Sequence, residues 1–164
     1  MTAGRGKKDR PEPSAYQRAL GLLVRRDHSR RELSRKLRAR GIETEEADAA
    51  LLVLARQDFQ NDARFAEALA RTRAASGYGP RYIRAELGTH GLTREDIENA
   101  LLACDTDWND SARRLIARRY GGKDQADPAV RRKAVDFLLR RGFDHKAASA
   151  VGRKTTDDEE IEAS

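Results

Sequence analysis

The chain of 164 residues contains a single cysteine, Cys104. An internal disulfide and a zinc site built from several cysteines are therefore excluded. Aromatic residues make up only 5% of the sequence, which leaves thin helical cores rather than one large core. No apolar run approaches the roughly 18 residues of a membrane span, and the opening "MTAGRGKKDRPEP" lacks the apolar middle of a secretion signal. The expected compartment is the reducing cytoplasm.

Catalytic patterns are missing too. His28, His90 and His145 stand near turns and form no ligand spacing with cysteines or carboxylates, and no Ser-His-Asp order has a supporting context. The Gly77-Tyr78-Gly79-Pro80 stretch lacks the Gly-Lys-Ser/Thr end of a phosphate-binding loop and reads as a turn. A non-enzyme with no cofactor and no metal is expected.

What the chain does have is charge, helix-forming residues and periodicity. The formal net charge is +6. The last ten residues hold five acids and no base, so the remainder is more basic than that sum suggests. A body this basic points to polyanion contact. Leu and Ala dominate over Val, Ile and Thr, which favours helix over sheet.

One pattern occurs three times. Leu37, Leu87 and Leu138 each stand four residues before a glycine, at Gly41, Gly91 and Gly142, and Ile42, Leu92 and Phe143 follow. Such spacing, about 50 residues, marks a tandem array. Ala50-Leu51-Leu52 and Ala100-Leu101-Leu102 recur at the same offsets from their glycines. The third copy is shorter and weaker, as terminal repeats often are.

Each unit reads as three helices. In the first, Ser14, Ser29 and Thr44 are helix caps, with Tyr16, Leu20 and Leu23, then Leu33 and Leu37, then Ala47, Leu51 and Leu54 facing inward. In the second, Asn61 or Asp62 starts a helix burying Phe65 and Leu69. Pro80 opens one burying Ile83 and Leu87, and Thr93 caps one burying Ile97, Ala100 and Leu101. The third has Trp108, Leu115 and Ile116, then Ala134 and Leu138 after Asp127-Pro128, then a short helix capped by Asp144. Units this small must stack. The expected fold is all-α, with three tandem three-helix repeats forming an elongated, curved, monomeric array. Its expected boundaries are 14–58, 59–105 and 106–152, between a flexible basic tail at 1–13 and a flexible acidic tail at 153–164.

The charge sits on particular helix faces. With Leu33 and Leu37 inward, Arg31, Arg35 and Arg38 fall together on the opposite face, and Lys36 flanks the seam. Glu32 is the lone acid among them. Arg81 and Arg132 occupy the register position of Arg31 in the later units, and Arg84 lies near the same side. Arg71 and Arg73 end a helix, where the dipole also favours cations. Together with Arg25 and Arg26, these are the candidate binding residues.

The stretch "DFQNDARFAEALARTRAASGYGPRYIRAELGTHGL" closely resembles the RecX family, bacterial regulators of the RecA recombinase. The resemblance is carried by Asp62, Phe65, Arg71, Gly79, Pro80, Ile83, Glu86, Leu87 and Gly91, and upstream by Ser29, Glu32, Leu33, Leu37 and Gly41. It spans roughly residues 14–152, strongest in the middle and weakest in the third unit. Phe59-Gln60-Asn61 departs from the family, which tends to have an aliphatic and an acidic residue there. The resemblance implies a curved three-unit protein that binds in the groove of the RecA filament on single-stranded DNA. It also implies inhibition of ATP hydrolysis, strand exchange and filament growth, and so a role in recombinational repair and the SOS response. From the residues alone, a plain DNA-binding module of helix-turn-helix type stands as the alternative.

Overall fold

A computed structural model describes residues 11–123 and 126–153. Most of the two expected tails lies outside these residues. The described residues form nine helices and no strand. In chain order these are α1 (Ala15–Leu23), α2 (Arg30–Arg38), α3 (Thr44–Arg56), α4 (Asp62–Ala75), α5 (Pro80–Thr89), α6 (Arg94–Ala103), α7 (Trp108–Tyr120), α8 (Pro128–Arg140) and α9 (His145–Arg153). The all-α repeat organisation read from the sequence is the one observed. The chain divides into two compact units, Met1–Asn61 and Asp62–Ser164.

In the first unit α1, α2 and α3 pack against one another. Ser14 makes a full capping box with Gln17, and the Ser29 hydroxyl accepts from the Glu32 N–H, so α1 and α2 start where the sequence places them. Leu33, Leu37, Ala47, Leu51 and Leu54 are completely buried. Each such leucine contributes about 1.5–3 kcal/mol relative to exposure. The buried positions of α1 differ from expectation. Ala15 and Ala19 are the buried pair, and Tyr16, Leu20 and Leu23 are only partly covered. Small residues let α1 lie close, and the larger ones wrap its rim.

Thr44 also differs from expectation. Glu43 is the N-cap of α3 and makes no side-chain cap bond, so Thr44 is already helical. Thr93, by contrast, caps α6 and accepts from the Asp96 N–H. Thr44 stands three residues after its glycine and Thr93 two, so Thr44 comes one position late.

The second unit contains two cores. Phe65, Ala66, Ala70, Ile83, Leu87, Ile97, Ala100 and Leu101 form one between α4, α5 and α6. Ala112, Ile116, Tyr120, Ala134, Phe137, Leu138, Phe143 and Ala148 form the other between α7, α8 and α9. Trp108, at the start of α7, packs against both. Asp107 caps α7, Asp127 caps α8, and the Asp144 carboxylate accepts from the Ala147 N–H at the start of α9.

The repeated glycines carry the turns. Gly41, Gly91 and Gly142 all have positive φ, and the Ile42 and Phe143 N–H groups donate back to the Leu37 and Leu138 carbonyls. That geometry closes a helix through a left-handed residue. Gly142 has a second role. The Gly79 N–H donates to the Arg141 carbonyl at 2.8 Å and the Arg81 N–H to the Gly142 carbonyl at 3.0 Å. A Cβ on Gly79 would lie 2.4 Å from the Phe143 nitrogen, and one on Gly142 would lie 2.4 Å from the Tyr82 nitrogen. The turn before α5 and the turn after α8 therefore interlock backbone to backbone.

Candidate partner-binding surface

The α2 helix sets the pattern of the basic surface. Its two leucines are buried, and Arg31, Arg35 and Arg38 are exposed on the other side. None of these three makes an ion pair with a described residue. Arg25, just after α1, is exposed in the same way.

Glu32 does not stand on that exposed face. It is 8% exposed and gathers bases. Arg26 Nη2 lies 2.7 Å from its Oε1, Lys36 Nζ 3.4 Å, and His28 Nδ1 3.0 Å but off the line of a hydrogen bond. Burial alone would push the Glu32 carboxyl up. The fork from Arg26 and the neighbouring His28 outweigh it and hold the carboxyl down at about 2. Burial lowers the pKa of His28. Arg26 and Lys36 are thus tied to a buried carboxylate.

In the second unit the candidate bases also divide into two groups. Arg73 forks onto Glu86 with two bonds of 2.7 Å, joining α4 to α5. Arg84 forks onto Glu98 at 2.6 and 3.0 Å, joining α5 to α6. Both carboxyls are held below their ordinary range by these bonds. Arg71 pairs with Glu67 one turn away at 2.6 Å. Arg81 and Arg132 are exposed, and neither makes an ion pair with a described residue. The candidate bases that make no ion pair with a described residue are therefore Arg25, Arg31, Arg35, Arg38, Arg81 and Arg132.

A further concentration of arginines escapes the helical-face argument. Arg114, Arg118 and Arg119 on α7 and Arg141 after α8 line one cleft of about 600 Å³. They come from the third repeat, where register is hardest to read. The visible signal is the Arg-Arg doublets at 113–114, 118–119 and 140–141. Among the described residues, no cluster of His, Cys, Asp and Glu could hold a metal ion, and no helix is long and apolar enough to cross a membrane.

The fold defines the class: an all-α array of three-helix domains. Comparison with known proteins narrows it. Residues 15–52 match the RecX first three-helix domain, 61–101 the second and 105–151 the third. The chain is 54% identical over 154 residues to the regulatory protein RecX of Stenotrophomonas maltophilia strain R551-3, covering 93% of this chain and 94% of that one. It is also 54% identical over 147 residues to the regulatory protein RecX of Xanthomonas axonopodis pv. citri strain 306, covering 90% and 91%. The crystal structure of RecX from Lactobacillus salivarius superposes with a TM-score of 0.72 at 25% identity, covering 85% of this chain and 93% of that one. The chain belongs to the RecX family of regulatory proteins.

Proposed function

We propose that this protein is a negative regulator of the RecA recombinase. It binds in the groove of the RecA filament on single-stranded DNA and restrains ATP hydrolysis, strand exchange and filament extension. Through that restraint it modulates recombinational repair and the SOS response. The observation that carries this reading is the run of three consecutive RecX domains across residues 15–151. The exposed arginines supply a surface of the right sign, and a monomer acting in the cytoplasm suffices.

The helix-turn-helix alternative is less well supported. A recognition helix presents its N-terminal residues to base edges. Here α3 begins Thr44-Glu45-Glu46 and α6 begins Arg94-Glu95-Asp96, so carboxylates would face the phosphates and bases.

The test is RecA ATP hydrolysis on single-stranded DNA with substoichiometric amounts of the protein. Hydrolysis is expected to fall well below the level a one-to-one block would give. An unchanged rate, together with sequence-specific duplex binding, would return the helix-turn-helix reading.

A further inference from the structure

The cleft of about 600 Å³ between the end of α4, α7 and the end of α8 lies wholly within the second unit. Arg114, Arg118, Arg119 and Arg141 line it, and no carboxylate does. Among the described residues Arg114 alone of the four makes an ion pair, with Asp110 outside the lining at 2.9 Å. Much of the neighbouring surface differs, since Arg71, Arg73 and Arg84 each carry a glutamate.

The lining holds these charges in place. The Arg119 guanidinium lies 4.5 Å from the centre of the Phe137 ring, and Arg141 lies 5.4 Å from the same ring. Arg141 also donates to the Ser76 carbonyl at 3.3 Å, which ties it to the end of α4. Like charges gathered in this way repel one another, and a negative occupant relieves that repulsion. Leu115 and Phe137 add apolar surface to the same lining. The cleft therefore suits a segment with several carboxylates and an apolar side chain among them.

The chain carries such a segment just beyond α9. Asp157, Asp158, Glu159, Glu160 and Glu162 stand there without a base among them, and Ile161 sits between the last two. The α9 helix packs on both α7 and α8. It starts at His145, close in sequence to Arg141, and its 9 residues make it about 13 Å long. Residues 154–160 can span up to about 23 Å, enough to run back along α9 to Arg141. A tether this short keeps the segment at an effective concentration on the order of millimolar. Pairs between exposed charges are individually weak, but at that concentration several of them together fill the cleft.

We infer that the acidic segment 157–162 docks in the arginine cleft of its own unit. Its carboxylates meet the guanidinium forks of Arg118, Arg119 and Arg141, and Ile161 rests on the apolar lining. The segment is then a removable cover over the cleft, held on at low ionic strength and released as salt screens the pairs. The contact goes beyond the filament reading, because it lies within one chain and involves no recombinase.

The test is a set of amide nuclear magnetic resonance spectra of the isotope-labelled full chain at low salt. Arg118→Gln with Arg119→Gln changes exposed side chains. It should move the signals of residues 157–162 most of the way to their positions at high salt. Arg31→Gln with Arg35→Gln removes the same charge from the first unit and should leave them in place. Conversely, Asp157→Asn, Asp158→Asn, Glu159→Gln and Glu160→Gln together should shift the signals of Gly77, Leu115 and Arg118 and not those of α2. This second variant leaves the helices untouched, so it decides the matter even if the arginine variant folds poorly. Segment signals that ignore the cleft substitutions overturn the inference, as do cleft signals that ignore the neutralised segment. Equal movement in the two arginine variants also overturns it, because the segment would then sense only net charge. Signals that change with protein concentration overturn it in favour of the segment of a second copy. No recombinase is present, so these outcomes leave the filament reading standing, and a failed RecA assay leaves the docking standing in turn.

Discussion

Glu32 shows how one buried carboxylate reorganises a basic helix. It removes Arg26 and Lys36 from the free charge and ties the turn after α1 to α2. Its pKa in the folded chain is about 2 against an ordinary 4.5. A depressed carboxyl contributes stability above the unfolded value, and that stability is lost as pH falls through the folded one. His28 is depressed below 6.5 by burial, so it too favours the folded form at higher pH. Thermal melting should therefore weaken below pH 6.5 and again between about pH 4.5 and 2. Glu32→Gln should lower stability at pH 7 by up to about 3 kcal/mol, the free-energy equivalent of the shift. It should also flatten the acid limb of a pH series of melting temperatures. A Glu32→Gln variant that keeps the full acid limb would show that the carboxylate is not its source.

Gly79 makes a second residue-scale case. Its missing Cβ lets backbone touch backbone, and the atoms in the way, Phe143 nitrogen and Gly142 carbonyl, cannot rotate aside. Gly79→Ala should cost about 1–3 kcal/mol through overpacking. Its effect in a denaturant titration should exceed that of Gly88→Ala, where nothing lies within 4 Å. Equal effects would mean that the interlocked turns contribute little.

At the scale of elements, α3 and α6 form a natural pair for comparison. They are repeat equivalents, yet Thr93 caps α6 with its side chain while Glu43, the N-cap of α3, makes no side-chain cap bond. Replacing a capping threonine by alanine typically costs about 1 kcal/mol. Thr93→Ala should show that loss in chemical denaturation, Thr44→Ala should be nearly neutral, and Glu43→Ser should stabilise. The helices and most of their inward positions were legible in the sequence because period and caps are local properties, but α1 buries Ala15 and Ala19 rather than Tyr16, Leu20 and Leu23, and Leu69 of α4 is only partly buried. The one-residue offset at Thr44 was legible only by counting from the glycine. The ion pairs were not legible. Arg73 and Glu86 lie thirteen residues apart and Arg84 and Glu98 fourteen, on neighbouring helices whose rotation no single-helix pattern supplies. The same holds for the arginine cleft, whose lining is drawn from the end of α4, from α7 and from Phe137 and Arg141.

For the whole molecule, the pairings decide which charges can be used to test function. Reversing Arg84 would set a carboxylate against Glu98 and loosen α5 from α6, so lost inhibition could follow from lost structure. Arg31, Arg35 and Arg81 avoid that difficulty, since each is exposed and makes no ion pair with a described residue. Exposed charges contribute little to stability, so Arg31→Glu, Arg35→Glu and Arg81→Glu together should leave helicity and the melting temperature nearly unchanged. Under the filament reading the triple variant should inhibit RecA ATP hydrolysis far more weakly than the original chain. The loss should be greatest at low salt, where surface charges act over the longest range. Core truncation supplies the contrast. Leu87 is completely buried, and Leu87→Ala should cost about 2–5 kcal/mol, so inhibition should disappear in step with helicity as the temperature is raised. A triple variant that folds normally and inhibits RecA as strongly as the original chain would remove these arginines from the contact surface. Arg25, Arg38 and Arg132, which are exposed and make no ion pair with a described residue, would then be the next positions to reverse.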